Sequence, residues 1–287
     1  MSEGVHRHWE VAAMLDGAQV LRCEPLVPNL QLLTVYAPIV ASKIQPGQFV
    51  IVMADATGER IPLTVADWDR EEGSVSCVVM QVGRSTYKLG DLEPGDRLAA
   101  FVGPLGRALD LNVDGTVVVA GGCYGIGSIY PIARALKGQG NRVIALVEGR
   151  SKFLLYWLDR LSQVSDRLLV STKDRSLGTR GYCPGLIRGL LEAGEPIQRV
   201  IAIGCTFMMY EMSEATRPYG VKTIVSLNPI MIDGTGMCGA CRVSVGGQTK
   251  FACVDGPDFD GHQVDWELLL ARRKAYLEPE TLAAERL

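Results

Sequence analysis

Three cysteines and one aspartate near the C-terminal end constrain this chain more than any other feature, because they stand at ligand spacing: Asp233-x4-Cys238-x2-Cys241-x11-Cys253. A loop that gathers several donors around one point cannot be ordinary helix or strand. Gly234, Gly236 and Gly239 let the backbone wrap closely with positive φ and bring amides near a bound group. Val243 and Val245 then alternate, Gly246-Gly247 suits a type I′ turn, and Phe251 precedes Cys253, so a hairpin returns the last thiol to the first two. The chain has 8 cysteines, and the other five (Cys23, Cys77, Cys123, Cys183 and Cys205) are scattered. Disulfides are not expected, since a chain of 287 residues can build its own cores and cytoplasmic thiols stay reduced.

The plant-type [2Fe-2S] run is Cys-x4-Cys-x2-Cys with a distant fourth cysteine, so Asp233 stands where the first thiolate would be. Three other readings compete: a structural zinc site of three thiolates with Asp233 or His262, redox-active thiols, or buried cysteines with no ligand. Zinc ribbons usually carry paired Cys-x2-Cys knuckles, and only one such pair is present, which favours iron and sulfide.

Residues before this loop divide into two further patterns. Short strands separated by Gly and Pro occupy Ala18 to Leu26, Leu30 to Tyr36, Gln48 to Met53, Ser74 to Val82 and Arg97 to Val102, the pattern of an antiparallel barrel or sandwich. From about Gly115 strands alternate with helical segments: Thr116 to Ala120, Ser128 to Lys137, Arg142 to Glu148, then Leu168 to Thr172 and Arg199 to Ile203. That alternation implies a parallel sheet. Beyond Ser226 it stops, and a charged helical tail begins near Asp265. The expected architecture is multidomain: an antiparallel β-barrel over 1–110, an α/β Rossmann-like domain over 111–225, and a small C-terminal module over 226–287.

The net charge of −3, with basic residues dispersed along the chain, argues against nucleic acid and anionic membrane surfaces as partners. The polar first residues make export unexpected. Gly115 to Ala133 carries no charge, yet its five glycines and Pro131 suit a strand, a turn and a helix start rather than a membrane span.

Two further segments carry chemistry. Gly121, Gly122, Gly125, Ile126 and Gly127 follow an apolar strand and open a helix, where backbone amides can approach a pyrophosphate without a Cβ in the way. Glu148 lies 21 residues past Gly127, near where an acid meets ribose hydroxyls; Arg150 and Lys152 could instead greet a 2′-phosphate. Earlier, Arg60-Ile61-Pro62-Leu63-Thr64 and Gly83-Arg84-Ser85-Thr86 place arginines and small hydroxyl residues at strand ends, suited to phosphate oxygens.

These three segments, in this order, resemble the ferredoxin-NADP reductase superfamily. Its barrel motif Arg-x-(Tyr or Pro)-x-(Ser or Thr) is matched by Arg60, Pro62 and Thr64, and its second flavin element by Gly83 to Thr86. The appended cysteine loop narrows the resemblance to the branch with the dihydroorotate dehydrogenase electron-transfer subunit. Within it, Asn228 to Cys238, Lys250 to Pro257 and Phe259 to His262 are similar to the small subunits of NADH-dependent ferredoxin:NADP oxidoreductase and of sulfide dehydrogenase. The resemblance implies FAD on the barrel, a nicotinamide dinucleotide on the second domain, where the position of Glu148 favours NAD(H) over NADP(H), and a [2Fe-2S] cluster held by Asp233, Cys238, Cys241 and Cys253. It also implies a cytoplasmic heterodimer with a larger subunit carrying flavin and [4Fe-4S] clusters, which would exchange electrons with ferredoxin and could support bifurcation. Electron-transfer subunits of sulfide, glutamate synthase-like or dihydroorotate dehydrogenases are the alternatives inside this class. A zinc-stabilised, redox-sensing binding module is the alternative outside it. Two departures stand out: Cys123-Tyr124 inside the glycine-rich turn, and Gly204-Cys205-Thr206-Phe207-Met208 in place of Gly-Pro-x-x-Met, which makes Cys205 the candidate catalytic residue beside the nicotinamide.

Overall fold

The computed structural model describes residues 18–284, so 1–17 of the expected barrel domain and 285–287 of the expected last module lie outside the described residues. β1 (Ala18–Val27), β2 (Leu30–Tyr36), β3 (Phe49–Met53), β4 (Ile61–Asp69), β5 (Ser74–Met80), β6 (Arg97–Leu98) and β7 (Ala100–Leu105) form one antiparallel sheet in the order β6-β1-β2-β5-β4-β3-β7. Its two edge strands are separated in sequence by Ala99 alone, so the sheet comes round into a nearly closed barrel, which leaves little open edge. Alternate residues fill the interior: Val50 and Val52 on β3, and Val75, Cys77 and Val79 on β5, are buried together.

β4 is one strand that the sequence pattern does not show. Pro62 lies inside it, which ordinarily argues against a central strand. β5 pairs with β4 only from Val65 onward, so the stretch holding Pro62 is a local edge and its missing N–H leaves that side of the ladder intact. The expected strand from Arg97 to Val102 is likewise broken at Ala99, where the chain passes from one edge of the barrel to the other.

β8 (Thr116–Gly122), β9 (Arg142–Gly149), β10 (Arg167–Thr172), β11 (Thr179–Arg180), β12 (Ile197–Ile203) and β13 (Lys222–Ser226) form a second, parallel sheet. Its strands are apolar on both faces. Val117 and Val119 pack under the helix Gly125–Gly138 through Ile126, Ile129 and Ile132, whereas Val118 and Ala120 face Ile187, Met208 and Met212 of the helices opposite. The uncharged stretch 115–133 is thus strand, turn and half a helix; among the described residues no helix is long and apolar enough to cross a membrane.

The C-terminal segment is less separate than its sequence suggests. After the hairpin of β14 (Arg242–Val245) and β15 (Gln248–Phe251), β16 (Asp258–Asp260) joins the second sheet antiparallel to β13. Cys241, Val243, Cys253 and Trp266 share that sheet's core, together with Phe49 and Ile51 from the outer face of β3. Three residues are too few to show a strand period, which is why β16 is invisible in the sequence. The barrel is also pinned to the second domain by Asp67, which accepts from Arg134 and Arg160; Arg160 in turn lies 4.3 Å from the Tyr130 ring and 4.1 Å from that of Trp157.

Asp258 sits at the seam of all three parts, its Oδ2 directed at Gly47 of the barrel. It is fully buried, and neither carboxyl oxygen makes a well-formed hydrogen bond among the described residues, although the Ser226 hydroxyl is near enough to offset part of that burial. Arg107, Arg199, Lys222, Asp110 and Asp255 line the cavity of about 160 Å³ beside it. Burial pushes its carboxyl up to about 7. Between the ordinary carboxylate range and that value the folded chain keeps a proton that the unfolded chain has released, so stability falls as pH rises through this window. Asp258→Asn is expected to stabilise the protein at pH 8 by about 2 to 3 kcal/mol more than at pH 5. Thermal unfolding at the two pH values checks this; an equal shift at both would assign the effect to packing.

Candidate functional site

Strand order in the second sheet reverses at β8, with β9 on one side and β12 on the other. Such a switch point opens a crevice at the carboxyl ends of the strands. A cleft of about 780 Å³ lies there, lined by Gly122, Cys123, Glu148, Arg150 and Cys205, with Arg188 from the helix Cys183–Glu192. The structure therefore brings together the sequence candidates of this domain, but gives some of them different work. Gly125 is needed for packing: a Cβ there would stand 1.9 Å from the carbonyl oxygen of Ile203. Ile126 is fully buried under the helix, and the Gly127 amide donates to Tyr156 Oη at 3.0 Å. The Gly127 amide is thus satisfied internally, and the first-turn cradle is narrower than the glycine pattern suggests.

Glu148 ends β9. Its Oε2 accepts from the Cys183 amide at 2.7 Å, capping the helix Cys183–Glu192, while Oε1 lies against Gly122. Burial pushes its carboxyl up, partly offset by that amide. Arg150, the next side chain toward solvent, is exposed. Cys205 caps the helix Thr206–Thr216, its Sγ accepting from the Met208 amide at 3.4 Å.

Tyr124 and Asn228 escaped the sequence reading as a pair. Tyr124 Oη donates to the Gly204 carbonyl at 2.7 Å and accepts from Asn228 Nδ2, while Asn228 Oδ1 accepts from Thr206 at 2.9 Å. One phenol thereby ties the glycine-rich turn, the end of β12 and the start of the cysteine module. Burial pushes its hydroxyl up to about 12, so it stays a neutral donor. Tyr124 appeared in the sequence only as a departure from a small-residue pattern; Asn228 is 104 residues away from it, a separation that no local motif bridges.

On the barrel, Ser85 Oγ donates to Glu59 Oε2 at 2.7 Å and accepts from the Glu59 amide at 3.3 Å. The two candidate segments therefore meet. Thr86 Oγ1 accepts from the amides of Val82 and Gly83 and donates to the Gly83 carbonyl, closing the turn before the helix Arg84–Gly90. Its hydroxyl is fully engaged there. Arg60 and Arg84 are exposed and make no hydrogen bond or ion pair among the described residues, leaving both guanidinium groups available. Pro62 and Thr64 are half-buried beside them, whereas Leu63 points into the barrel core. Two open arginines, Arg60 just before β4 and Arg84 at the start of its helix, fit a pyrophosphate.

In the cysteine loop, Asp233 Oδ1 accepts from the Thr235 amide at 2.6 Å and Oδ2 from the Cys238 amide at 2.8 Å, which holds the carboxyl below its ordinary range. Gly234 and Gly236 have φ of 77° and 89°, and a Cβ on Gly234 would meet Leu105 and Ile51 of the barrel. Cys241 and Cys253 are buried with their sulfurs 3.2 Å apart, and burial together with Cys241 pushes the Cys253 thiol up. Two thiolates on one tetrahedral metal lie about 3.7 Å apart, so this pair suits a shared metal after a small opening. Cys238 is exposed, and among the described residues no group of three or more His, Cys, Asp or Glu side chains converges as metal donors. Two of the four expected ligands are thus assembled. His262 is engaged elsewhere, its Nε2 bonding Thr216 Oγ1 at 3.0 Å.

Known proteins share this arrangement. The iron-sulfur cluster binding domain of dihydroorotate dehydrogenase B matches residues 228–265, which include all four candidate ligands. The dihydroorotate dehydrogenase B (NAD(+)) electron transfer subunit homolog of Thermotoga maritima is 45% identical over 252 residues, covering 88% of this chain and 89% of its own. The chain belongs to the family of the dihydroorotate dehydrogenase B electron transfer subunit and its homologues. A second family member, the electron transfer subunit of Desulforamulus reducens, is 31% identical over 258 residues, 87% of this chain and 98% of its own. The solved structure of an NADH-dependent reduced ferredoxin-NADP oxidoreductase, described for flavin-based electron bifurcation, superposes with a TM-score of 0.88 at 41% identity, over 94% of this chain and 97% of that one. Ferredoxin NADP+ reductase from Neisseria gonorrhoeae, with bound FAD and NADP, shares the fold at a TM-score of 0.58 and 16% identity, over 71% of this chain and 90% of that one.

Proposed function

We propose that this chain is the electron-transfer subunit of an NAD(P)H-dependent oxidoreductase, carrying FAD and a [2Fe-2S] cluster. The observation that carries the reading is spatial. The thiol loop packs on the barrel through Gly234, and the nucleotide cleft joins that module through Tyr124 and Asn228. A flavin converts the two-electron chemistry of a nicotinamide into the single-electron chemistry of a cluster when it is bound between them.

In this proposal residues 1–110 are the FAD-binding barrel, 111–225 the nucleotide domain, and 226–287 the cluster module with its terminal helix. Arg60 and Arg84 hold the FAD pyrophosphate, with Pro62, Thr64, Gly83, Ser85 and Thr86 shaping that loop. Gly121, Gly122, Gly125 and Gly127 shape the nucleotide turn, Glu148 and Arg150 meet the ribose end, and Cys205 lies beside the nicotinamide. Asp233, Cys238, Cys241 and Cys253 hold the cluster. A larger subunit with flavin and [4Fe-4S] clusters completes a cytoplasmic heterodimer that exchanges electrons with ferredoxin; the description of a relative as an electron transfer subunit supports a partner subunit, and the likeness to a ferredoxin-NADP oxidoreductase supports ferredoxin.

Visible absorption of the purified protein tests the cofactor content: flavin bands with broad charge-transfer absorption and stoichiometric iron and sulfide are expected. A colourless protein containing zinc would refute it. Arg60→Ala is expected to weaken FAD retention roughly ten- to hundredfold, the worth of a charge-assisted bond to phosphate, while leaving iron content unchanged. Flavin content after gel filtration at low concentration checks this. NADH is expected to give a higher diaphorase kcat/KM than NADPH, because Glu148 faces the turn and disfavours a 2′-phosphate. A preference for NADPH would overturn the assignment.

A further inference from the structure

Both departures from the family's nucleotide pattern are cysteines, and the fold brings them to the same place. β8 and β12 are parallel neighbours, with Ala120 opposite Ala202 and Gly121 opposite Ile203. Gly122 and Gly204, the residues just before Cys123 and Cys205, lie against each other, since a Cβ on Gly204 would stand 3.3 Å from the Gly122 carbonyl oxygen. Neighbouring strands lie about 5 Å apart, within the Cα separation that a disulfide spans. Both thiols are exposed, unbridged and line the cleft of about 780 Å³. Cys123 has left-handed backbone, φ 54°, although it carries a Cβ, and its sulfur lies 3.2 Å from Met80 Sδ. The Cys205 sulfur accepts from the Met208 amide in the first turn of a helix. Burial raises the Cys123 thiol, and charge on Cys205 raises it further, so the two sulfurs sense one another.

We infer that Cys123 and Cys205 are a dithiol pair that closes to a disulfide across the floor of the nucleotide cleft, turning nucleotide access off under oxidising thiol conditions. That the pair gates a nucleotide rests on the proposed function; the pair itself does not. The oxidant is a small disulfide. The Cys205 thiolate attacks one of its sulfurs, the S–S bond breaks, and the departing thiolate takes up a proton. Cys123, as thiolate, then attacks the Cys205 sulfur of the mixed disulfide and releases the second small thiol. Two protein thiols are oxidised and one disulfide is reduced to two thiols, so electrons and protons balance. The product bond joins the glycine-rich turn to the helix Thr206–Thr216, where it narrows the cleft.

Holoprotein treated with oxidised glutathione tests this. Expected are loss of two titratable thiols, a linked peptide pair containing Cys123 and Cys205, and a diaphorase rate with NADH at least tenfold lower that dithiothreitol restores. Cys123→Ser should stop at a glutathione adduct on Cys205. Absence of the linked pair overturns the inference, and so does a linked pair with an unchanged rate. Peptide mapping needs no activity, so a protein that never oxidises NADH would count against the proposed function while the mapping still decides the pair.

Discussion

Asp233→Ala is expected to leave the protein with FAD and without a stable [2Fe-2S] cluster. Two roles converge on this carboxylate. Its oxygens cap the amides of Thr235 and Cys238, which shapes the loop, and its position in the Asp-x4-Cys-x2-Cys-x11-Cys pattern is that of the first ligand. Alanine removes both. Two substitutions separate them. Asparagine keeps a carbonyl oxygen for the amide caps but supplies no charge, so Asp233→Asn should lose the cluster if ligation dominates and keep it if loop shape dominates. Asp233→Cys supplies a thiolate, completes an all-cysteine set, and should keep a cluster with altered reduction potential and electron paramagnetic resonance. Iron and sulfide analysis with potentiometry reads all three variants. An Asp233→Ala protein with an unchanged spectrum and potential would remove Asp233 from the ligand set and leave the flavin and nucleotide assignments standing.

Legibility in the sequence followed range. The parallel sheet was readable because its strands are buried on both faces, so Val117 to Ala120 and Val143 to Val147 form continuous apolar runs. The β14–β15 hairpin was readable from Gly246-Gly247, whose φ values of 58° and 72° are those of a type I′ turn. β4 was hidden by Pro62 and β16 by its brevity. Within the site, residue types were readable but their partners were not. Glycines in a turn announce close approach without saying to what: Gly125 meets the backbone of β12, and the Gly127 amide meets a phenol 29 residues on. Glu148 stood at the right distance for a ribose, yet one of its oxygens caps a helix that begins 35 residues later. Sequence spacing reports what a residue is able to bind, and tertiary packing decides which partner reaches it first.

Gly125→Ala is expected to damage the nucleotide site more than removal of any single charged group in it. The added Cβ would stand 1.9 Å from the Ile203 oxygen and 2.5 Å from its carbonyl carbon, both backbone atoms that no rotamer change can move. Relief requires the helix Gly125–Gly138 to withdraw from β12. That helix is anchored by Ile126, Ile129, Ile132 and Leu136, all fully buried, so withdrawal disrupts the core beneath it at a cost of about 3 kcal/mol. It also pulls Tyr124 from the Gly204 carbonyl, which opens the floor of the cleft. A lower unfolding temperature and an NADH KM raised at least tenfold are expected. Gly138→Ala is the matched control, since a Cβ at the far end of the same helix meets nothing within 4 Å. There the gain in helix propensity should stabilise the protein by about 0.5 to 1 kcal/mol and leave KM unchanged. Equal behaviour of the two variants in thermal unfolding and NADH titration would show that helix propensity, and not the contact with Ile203, governs the site.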